Sequence, residues 1–282
     1  MIRLFVFGLG YTATCLAARL PGTMGTTQDG RGGTIPFDDD AAVGAALASA
    51  GHVLSSVPPA AEDDPVLSRY GDRLGGKWLG YLSSTGVYGD AGGAWVDESA
   101  PTGTGRRSAR AAADAGWLER GARVFRLPGI YGPGRSPLDR VREGRAHRTG
   151  IAGQVFSRVH VDDIVAGVIA GFDAPAGAYN LADDAPCGQD EVIDYAAGLL
   201  GLPPPPLVTL DSLSPMARGF YAENRRVANG KAKRLLGWAP AYPDYRVGLR
   251  LLAAAATGRA LSATTSPAPV STAPATASAV QR

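Results

Sequence analysis

The stretch Ile2-Arg3-Leu4-Phe5-Val6-Phe7 followed by Gly8-Leu9-Gly10-Tyr11-Thr12-Ala13 decides the reading of this chain. The first six residues are β-prone and nearly all apolar, the pattern of a parallel strand covered on both faces. The next six match G-x-G-x-x-G/A, and Tyr11 to Leu20 has the periodicity of a helix. Strand, glycine turn and helix in that order form the context a dinucleotide fingerprint requires. Gly8 permits the tight turn and Gly10 lets the backbone approach a pyrophosphate. Ala13 is small enough for helix and strand to pack closely. A phosphate group placed there meets the free N–H groups and positive dipole end of the helix. Gly8, Leu9, Gly10, Tyr11 and Thr12 are therefore candidate cofactor contacts. The plainer alternative is that the glycines only shape a turn.

Outward from this turn the sequence keeps alternating. Short strands are expected at Thr23–Thr27 and Thr34–Phe37, a helix over Asp39–Ala50, and a strand at His52–Ser56 stopped by Pro58-Pro59. Further apolar strands are expected at Trp78–Ser83 and Arg123–Leu127. The alternation predicts an α/β fold with a doubly wound parallel sheet, the Rossmann arrangement. Beyond Leu127 the pattern loosens: a helix at Ser136–Glu143, a strand at Val155–Val161, a helix from Asp162 to Phe172, then short pieces to about residue 255. From Thr257 the chain is nearly all Ala, Thr, Ser and Pro, a composition expected to stay disordered through residue 282.

Composition narrows the class. Hydrophobic residues at 45% and charged residues at 19% are those of an ordinary globular protein, and no apolar run approaches the ~20 residues of a membrane span. A net charge of +2 does not suggest a nucleic-acid binder. Cys15 and Cys187 have no metal-site or disulfide spacing, which fits a reducing compartment, and the three histidines offer no metal-ligand pattern. The N-terminal apolar run ends in glycines rather than a cleavage site, so a cytoplasmic location is expected.

Cofactor choice is usually set at the end of the second strand. An acid there accepts from the ribose hydroxyls of NAD and repels the phosphate of NADP. Here the segment is Gly25-Thr26-Thr27-Gln28-Asp29-Gly30-Arg31. Thr26, Thr27 and Gln28 are neutral, and Arg31 offers a charged fork to a phosphate. NADP is favoured, with Asp29 arguing for NAD and Arg31 as an ordinary surface charge the bland reading. Asp38, after the third strand, is a candidate adenine contact or helix N-cap.

Ser83-Ser84-Thr85-Gly86-Val87-Tyr88-Gly89-Asp90, at a strand end downstream of the glycine turn, resembles the extended short-chain dehydrogenase/reductase family of epimerases and dehydratases. Arg126-Leu127-Pro128-Gly129-Ile130-Tyr131-Gly132-Pro133-Gly134 is similar to the family's nicotinamide-lining segment. Val159-His160-Val161-Asp162-Asp163 and Leu235-Leu236-Gly237-Trp238 are similar to its later corner and closing helix. The resemblance implies one unit over residues 1–256, with a Rossmann core at about 1–172. A small substrate lobe would come mainly from about 173–256 plus part of 133–160. It implies cofactor contacts at Ser55, Ser56, Val57, Ser83, Pro128, Gly129, Ile130 and Tyr131, a small-molecule substrate, and a possible homodimer.

In that family a hydroxyl residue assists a Tyr-x-x-x-Lys pair on the next helix, the tyrosine acting as general acid/base. Ser84 and Thr85 match the hydroxyl positions, but the segment expected to hold the pair reads Pro-Thr-Gly-Thr-Gly-Arg-Arg-Ser-Ala-Arg from Pro101 to Arg110. Arg106 and Arg110 take the four-residue spacing, and an arginine keeps its proton. The chain thus resembles a tyrosine-lacking branch. Tyr88 and Tyr131 are candidate replacement acids or packing residues, and Arg106, Arg110 and Arg135 are candidate substrate contacts. Arg135, Arg140, Arg142, Arg145, His147 and Arg148 form either an anion patch or a solvated helix face. Two functions follow from the resemblance. One is an oxidoreductase or epimerase acting on a sugar, nucleotide-sugar or similar carbonyl or alcohol. The other is a non-catalytic NADP(H) sensor.

Overall fold

The computed structural model describes residues 2–60, 63–105 and 108–264, the last eight of these and Met216 without their side chains. Strand β1 (Leu4–Phe7) is buried along its whole length because both of its faces are covered. Leu4 and Val6 face one core while Phe5 and Phe7 face the other. The turn after it starts α1 (Tyr11–Arg19), and β2 (Met24–Thr27) and the two-residue edge strand β3 (Ile35–Pro36) follow. Pro36 is tolerated there because an edge strand has one hydrogen-bonding side free. Helix α2 (Asp40–Ser49) leads to β4 (His52–Ser55), α3 (Pro65–Tyr70) to β5 (Trp78–Ser84), and α4 (Ser108–Glu119) to β7 (Arg123–Leu127), with a short β6 (Trp95–Val96) between β5 and α4.

The main sheet has seven parallel strands in the order β3-β2-β1-β4-β5-β7-β10, where β10 is Gly177–Asn180. Its first six places follow the doubly wound order, with crossovers reversing between β1 and β4. Two paired ribbons hold the lobe. β8 (Gly129–Tyr131) pairs with β9 (Arg158–His160), and β6 pairs with β11 (Arg226–Val227). α1 and α6 (Val161–Ala170) cover one face of the sheet through Ala13, Leu16, Ile164, Val165 and Val168. α2, α3 and α4 cover the other face through Val43, Leu47, Val66, Tyr70 and Trp117.

The lobe is built by α5 (Pro137–Arg142), α7 (Gln189–Leu199), α8 (Pro215–Tyr221) and α10 (Tyr245–Thr264), while α9 (Gly230–Leu236) packs on β10 and α6 of the main core. Ser136 starts α5 with a reciprocal capping box to Asp139, and Pro137 fits the first helical position. The lobe is tied to the core by Asp163. Its buried carboxylate accepts from the backbone N–H of Ala241 at 2.7 Å and of Tyr242 at 3.1 Å, while its carbonyl accepts from Trp238 Nε1 at 3.0 Å.

Three expectations shift. Strand β10 lies in the main sheet although its residues fall in the stretch assigned mainly to the lobe. Four residues are too few to announce a strand by alternation. Helix α10 runs to Thr264, past the start of the expected tail at residue 257, because Leu251-Leu252-Ala253-Ala254-Ala255-Ala256 carries high helix propensity into it. Asp39 rather than Asp38 caps α2, accepting from Ala42 N at 2.9 Å, and Asp38 pairs with Arg69 instead.

Candidate functional site

The glycine turn is built for close approach. Gly8 sits at φ +82°, where an added Cβ would also come within 3.0 Å of Val57 Cγ2. Its N–H donates to Thr26 Oγ1 at 3.1 Å, and Leu9 N donates to Thr26 O at 2.8 Å. Around Gly10 the space a Cβ would take is open to 4 Å, and no side chain caps α1 there. Among the described residues no side chain accepts from the first-turn N–H groups of α1. Gly10, Tyr11 and Thr12 line a cleft of about 630 Å³. An open, uncapped helix N-terminus on a cleft wall fits a dinucleotide pyrophosphate.

The cleft lies over the C-terminal ends of the sheet strands, where open α/β sheets bind ligands. Ser56 lines it and donates to Gly8 O, tying β4 to the turn. Ser83, Ser84, Thr85, Pro128, Gly129 and Ile130 form the middle of the cleft. The two serines differ. Ser83 Oγ donates to Asp114 Oδ2 at 2.6 Å and is committed. Ser84 Oγ accepts from Gly86 N at 3.1 Å, which leaves its hydroxyl proton free to donate into the cleft.

Of the other expected cofactor residues, Thr26, Ser55, Leu9 and Val57 sit around or beneath the turn rather than on the cleft wall. Thr26 supports Gly8, and Leu9 packs on Gly25. Thr27 Oγ1 bonds Thr34 Oγ1 at 2.7 Å, while Gln28 and Arg31 stand exposed past the end of β2. Among the described residues Arg31 meets only a loose pair with Asp29 at 3.9 Å.

Two candidate acids turn away from the cleft. The chain after β5 winds into a 3₁₀ turn over Thr85–Tyr88, which swings Tyr88 inward. There Tyr88 Oη donates to Asn180 Oδ1 at 2.8 Å and accepts from Arg126 Nη1 at 3.0 Å. Burial pushes the Tyr88 phenol above its usual range, against the nearby Arg126 charge. Arg126 in turn forms a bidentate pair with Asp114, at 2.7 and 3.1 Å, both side chains being buried. Tyr131, expected at the nicotinamide, packs instead in the lobe core with Leu138, Val141 and Leu249. Its phenol, with no hydrogen-bond partner among the described residues, is raised by burial.

Arg110 lines the cleft and donates to Tyr81 Oη at 2.8 Å. Arg135 lines it beside the turn, its guanidinium 5.6 Å from the Tyr11 ring centroid, and Tyr11 Oη donates to Pro133 O at 3.1 Å. Arg106 lies outside the described residues. The rest of the arginine run does not gather at the cleft. Arg142 pairs with Asp139, Arg145 with Glu143, and Arg148 with Asp194 and the carbonyl of Pro205. His160 caps α6 by accepting from Asp162 N at 3.2 Å.

The lobe supplies cleft residues that sequence reading missed: Phe156, Arg158, Gln189, Phe220, Glu223 and Arg225. They come from three segments with no shared motif, so only the fold brings them together. Behind Arg158 sits Asp183, 2% exposed, whose carboxylate has no side-chain hydrogen-bond partner among the described residues and meets only the backbone of Ala185 and Arg158. Burial pushes its carboxyl up to about 7, with the Arg158 charge opposing.

The strand order, the glycine turn and the cleft over the strand ends define the extended short-chain dehydrogenase/reductase fold. The chain belongs to the same family as a functionally unknown conserved protein from Silicibacter pomeroyi DSS. The two are 40% identical, with a TM-score of 0.84 covering 90% of this chain and 99% of that one. At lower identity the fold matches MoeE5 in complex with UDP-glucose and NAD (19%, TM-score 0.71, covering 92% of this chain and 99% of that one). It also matches the human epimerase family protein SDR39U1 with NADPH (16%, TM-score 0.68, covering 90% and 99%). Among curated proteins, a 3-diazoavenalumate denitrifying reductase from Streptomyces is 31% identical over 141 residues, 45% of either chain. Protein YeeZ from Escherichia coli is 32% identical over 172 residues, 58% of either chain. The match thus spans about half the length of these curated relatives. No family model matches the chain.

Proposed function

We propose that this protein is a nicotinamide-dependent oxidoreductase that binds NADP(H) and works without a tyrosine acid. The carrying observation is that the uncapped N-terminus of α1 and the free hydroxyl of Ser84 open on the same cleft. Gly8, Gly10, Tyr11 and Thr12 hold the pyrophosphate, Thr27, Gln28 and Arg31 meet the adenosine end, and Ser56 and Pro128 to Ile130 flank the nicotinamide. When bound, the dinucleotide supplies or accepts a hydride.

Ser84 donates a hydrogen bond that orients and polarises a substrate atom. A serine hydroxyl does not release its proton near neutral pH, so Ser84 positions rather than protonates. α4 contains neither tyrosine nor lysine. This favours reductions that need no protein acid, such as displacement of a leaving group by hydride. Support for a reductive reading comes from the Streptomyces relative, named as a denitrifying reductase of a diazo compound. The substrate, a carbonyl, an alcohol or a related electrophile, occupies the lobe half of the cleft.

The test is titration with NADPH, NADH, NADP and NAD, read by nucleotide fluorescence and thermal shift, with Gly10→Trp as control. A Cβ at Gly10 meets nothing within 4 Å, so the variant is expected to fold with its indole in the pyrophosphate position, which its thermal unfolding checks. NADPH binding lost in the variant is expected. A folded protein that binds none of the four nucleotides sinks the proposal.

A further inference from the structure

We propose that the lobe end of the cleft is a site for a planar aromatic carboxylate, its ring packed against the stacked pair Phe156 and Phe220 and its carboxylate held by Arg158 and Arg110. This rests on the oxidoreductase reading, of which it names the substrate class.

The aromatic wall is formed before any ligand arrives. Phe156 and Phe220 stack with centroids 4.5 Å apart and planes at 15°, and both line the cleft. Such a face favours another flat ring in offset stacking. Phe220 is 43% exposed, so part of its ring is open to a ligand in the cleft.

The charge beside this wall is unbalanced. Arg158 is 6% exposed, and its guanidinium donates to the carbonyl of Phe156 at 3.0 Å, to Cys187 Sγ at 3.2 Å and to Gln189 Oε1 at 3.0 Å. None of these cancels a positive charge. The acid behind it, Asp183, is partly protonated at neutral pH because of its burial. Arg110 is likewise held by a neutral group, the Tyr81 phenol, and has no ion pair among the described residues. Arg225 shares its charge with Glu223 at 3.0 Å. Two cationic groups without an ion pair among the described residues, one of them desolvated and only partly balanced by Asp183, favour an anion, and a carboxylate matches the guanidinium fork.

Calorimetric titration of cinnamate, benzoate, cinnamyl alcohol, UDP and UDP-glucose into the protein, with and without NADPH, decides the matter. Expected is binding of an aromatic acid at least about tenfold tighter than cinnamyl alcohol, the worth of one charge-assisted contact. Arg110→Gln should weaken it about tenfold and Phe220→Ala several-fold, with unchanged thermal unfolding; these positions are less buried than Arg158, and both variants are expected to fold. Equal binding of acid and alcohol overturns the proposal. So does binding of UDP or UDP-glucose without acid binding, or no binding of either acid. NADPH is read separately. Acid binding without NADPH binding sinks the cofactor reading and leaves the acid site standing, and the reverse sinks only the acid site.

Discussion

The phenol of Tyr88 and the amide of Asn180, 92 residues apart in sequence, meet at 2.8 Å inside the protein. The contact joins the turn after β5 to the last strand of the sheet, and Arg126 completes it from β7. Tyr88→Phe should therefore leave turnover within about twofold of wild type. It should lower the free energy of unfolding by about 1–3 kcal/mol, the cost of stranding buried partners. Denaturant melts and initial rates check both. A hundredfold fall in turnover at unchanged stability would return Tyr88 to the role of proton donor.

Asp114 and Arg126 form a buried pair, so removing one charge strands the other. Asp114→Leu should cost about 3–5 kcal/mol of stability by urea unfolding. The double variant Asp114→Leu with Arg126→Met should recover a large part of that loss. Additive losses would show that the pair is not the source.

Arg31 is the exposed cation past the end of β2, only loosely held by Asp29. Arg31→Ala should weaken NADPH about tenfold and leave NADH unchanged, a difference that shrinks as salt is raised. Equal losses for both nucleotides would mean that Arg31 does not read the phosphate.

Asp183 gives the stability a pH dependence of known sign. Its carboxyl is raised in the fold to about 7 from 3.8, so between these values the folded chain holds a proton the unfolded chain has released. Stability contributed by this group is full below the lower value and falls as pH rises, by up to about 1.4 kcal/mol per pH unit, levelling off above the upper one. Asp183→Asn should abolish that slope. The difference between the two melting series isolates it from His52, His147 and His160, which burial holds below their ordinary range and which act with the opposite sign. Identical series for the two proteins would exclude the assignment.

The part of the site visible in the sequence is the part made locally. Gly8 to Ala13 act through the turn they themselves form, and Ser84 follows its strand, so spacing locates them. Tyr88 and Tyr131 misled because their direction depends on chain path. One extra tight turn sends Tyr88 inward, and the packing of α5, α7 and α10 claims Tyr131. Arg158, Phe220 and Arg225 carry no local mark. They reach the cleft only because the β8–β9 and β6–β11 ribbons pair and α8 folds back beside them. Cofactor binding is encoded locally, whereas the substrate end is encoded by tertiary structure.

The grip of Asp163 on Ala241 and Tyr242 has a consequence for biosynthesis. The carboxylate opens the helix that covers one face of the sheet, yet its partners are made almost eighty residues later. A chain still being synthesised must therefore carry an unsatisfied acid under α6 until residue 242 has left the ribosome. The nucleotide half can assemble early but cannot lock. Release from protease sensitivity should come late and abruptly, with emergence of the closing segment, rather than when the last sheet strand appears.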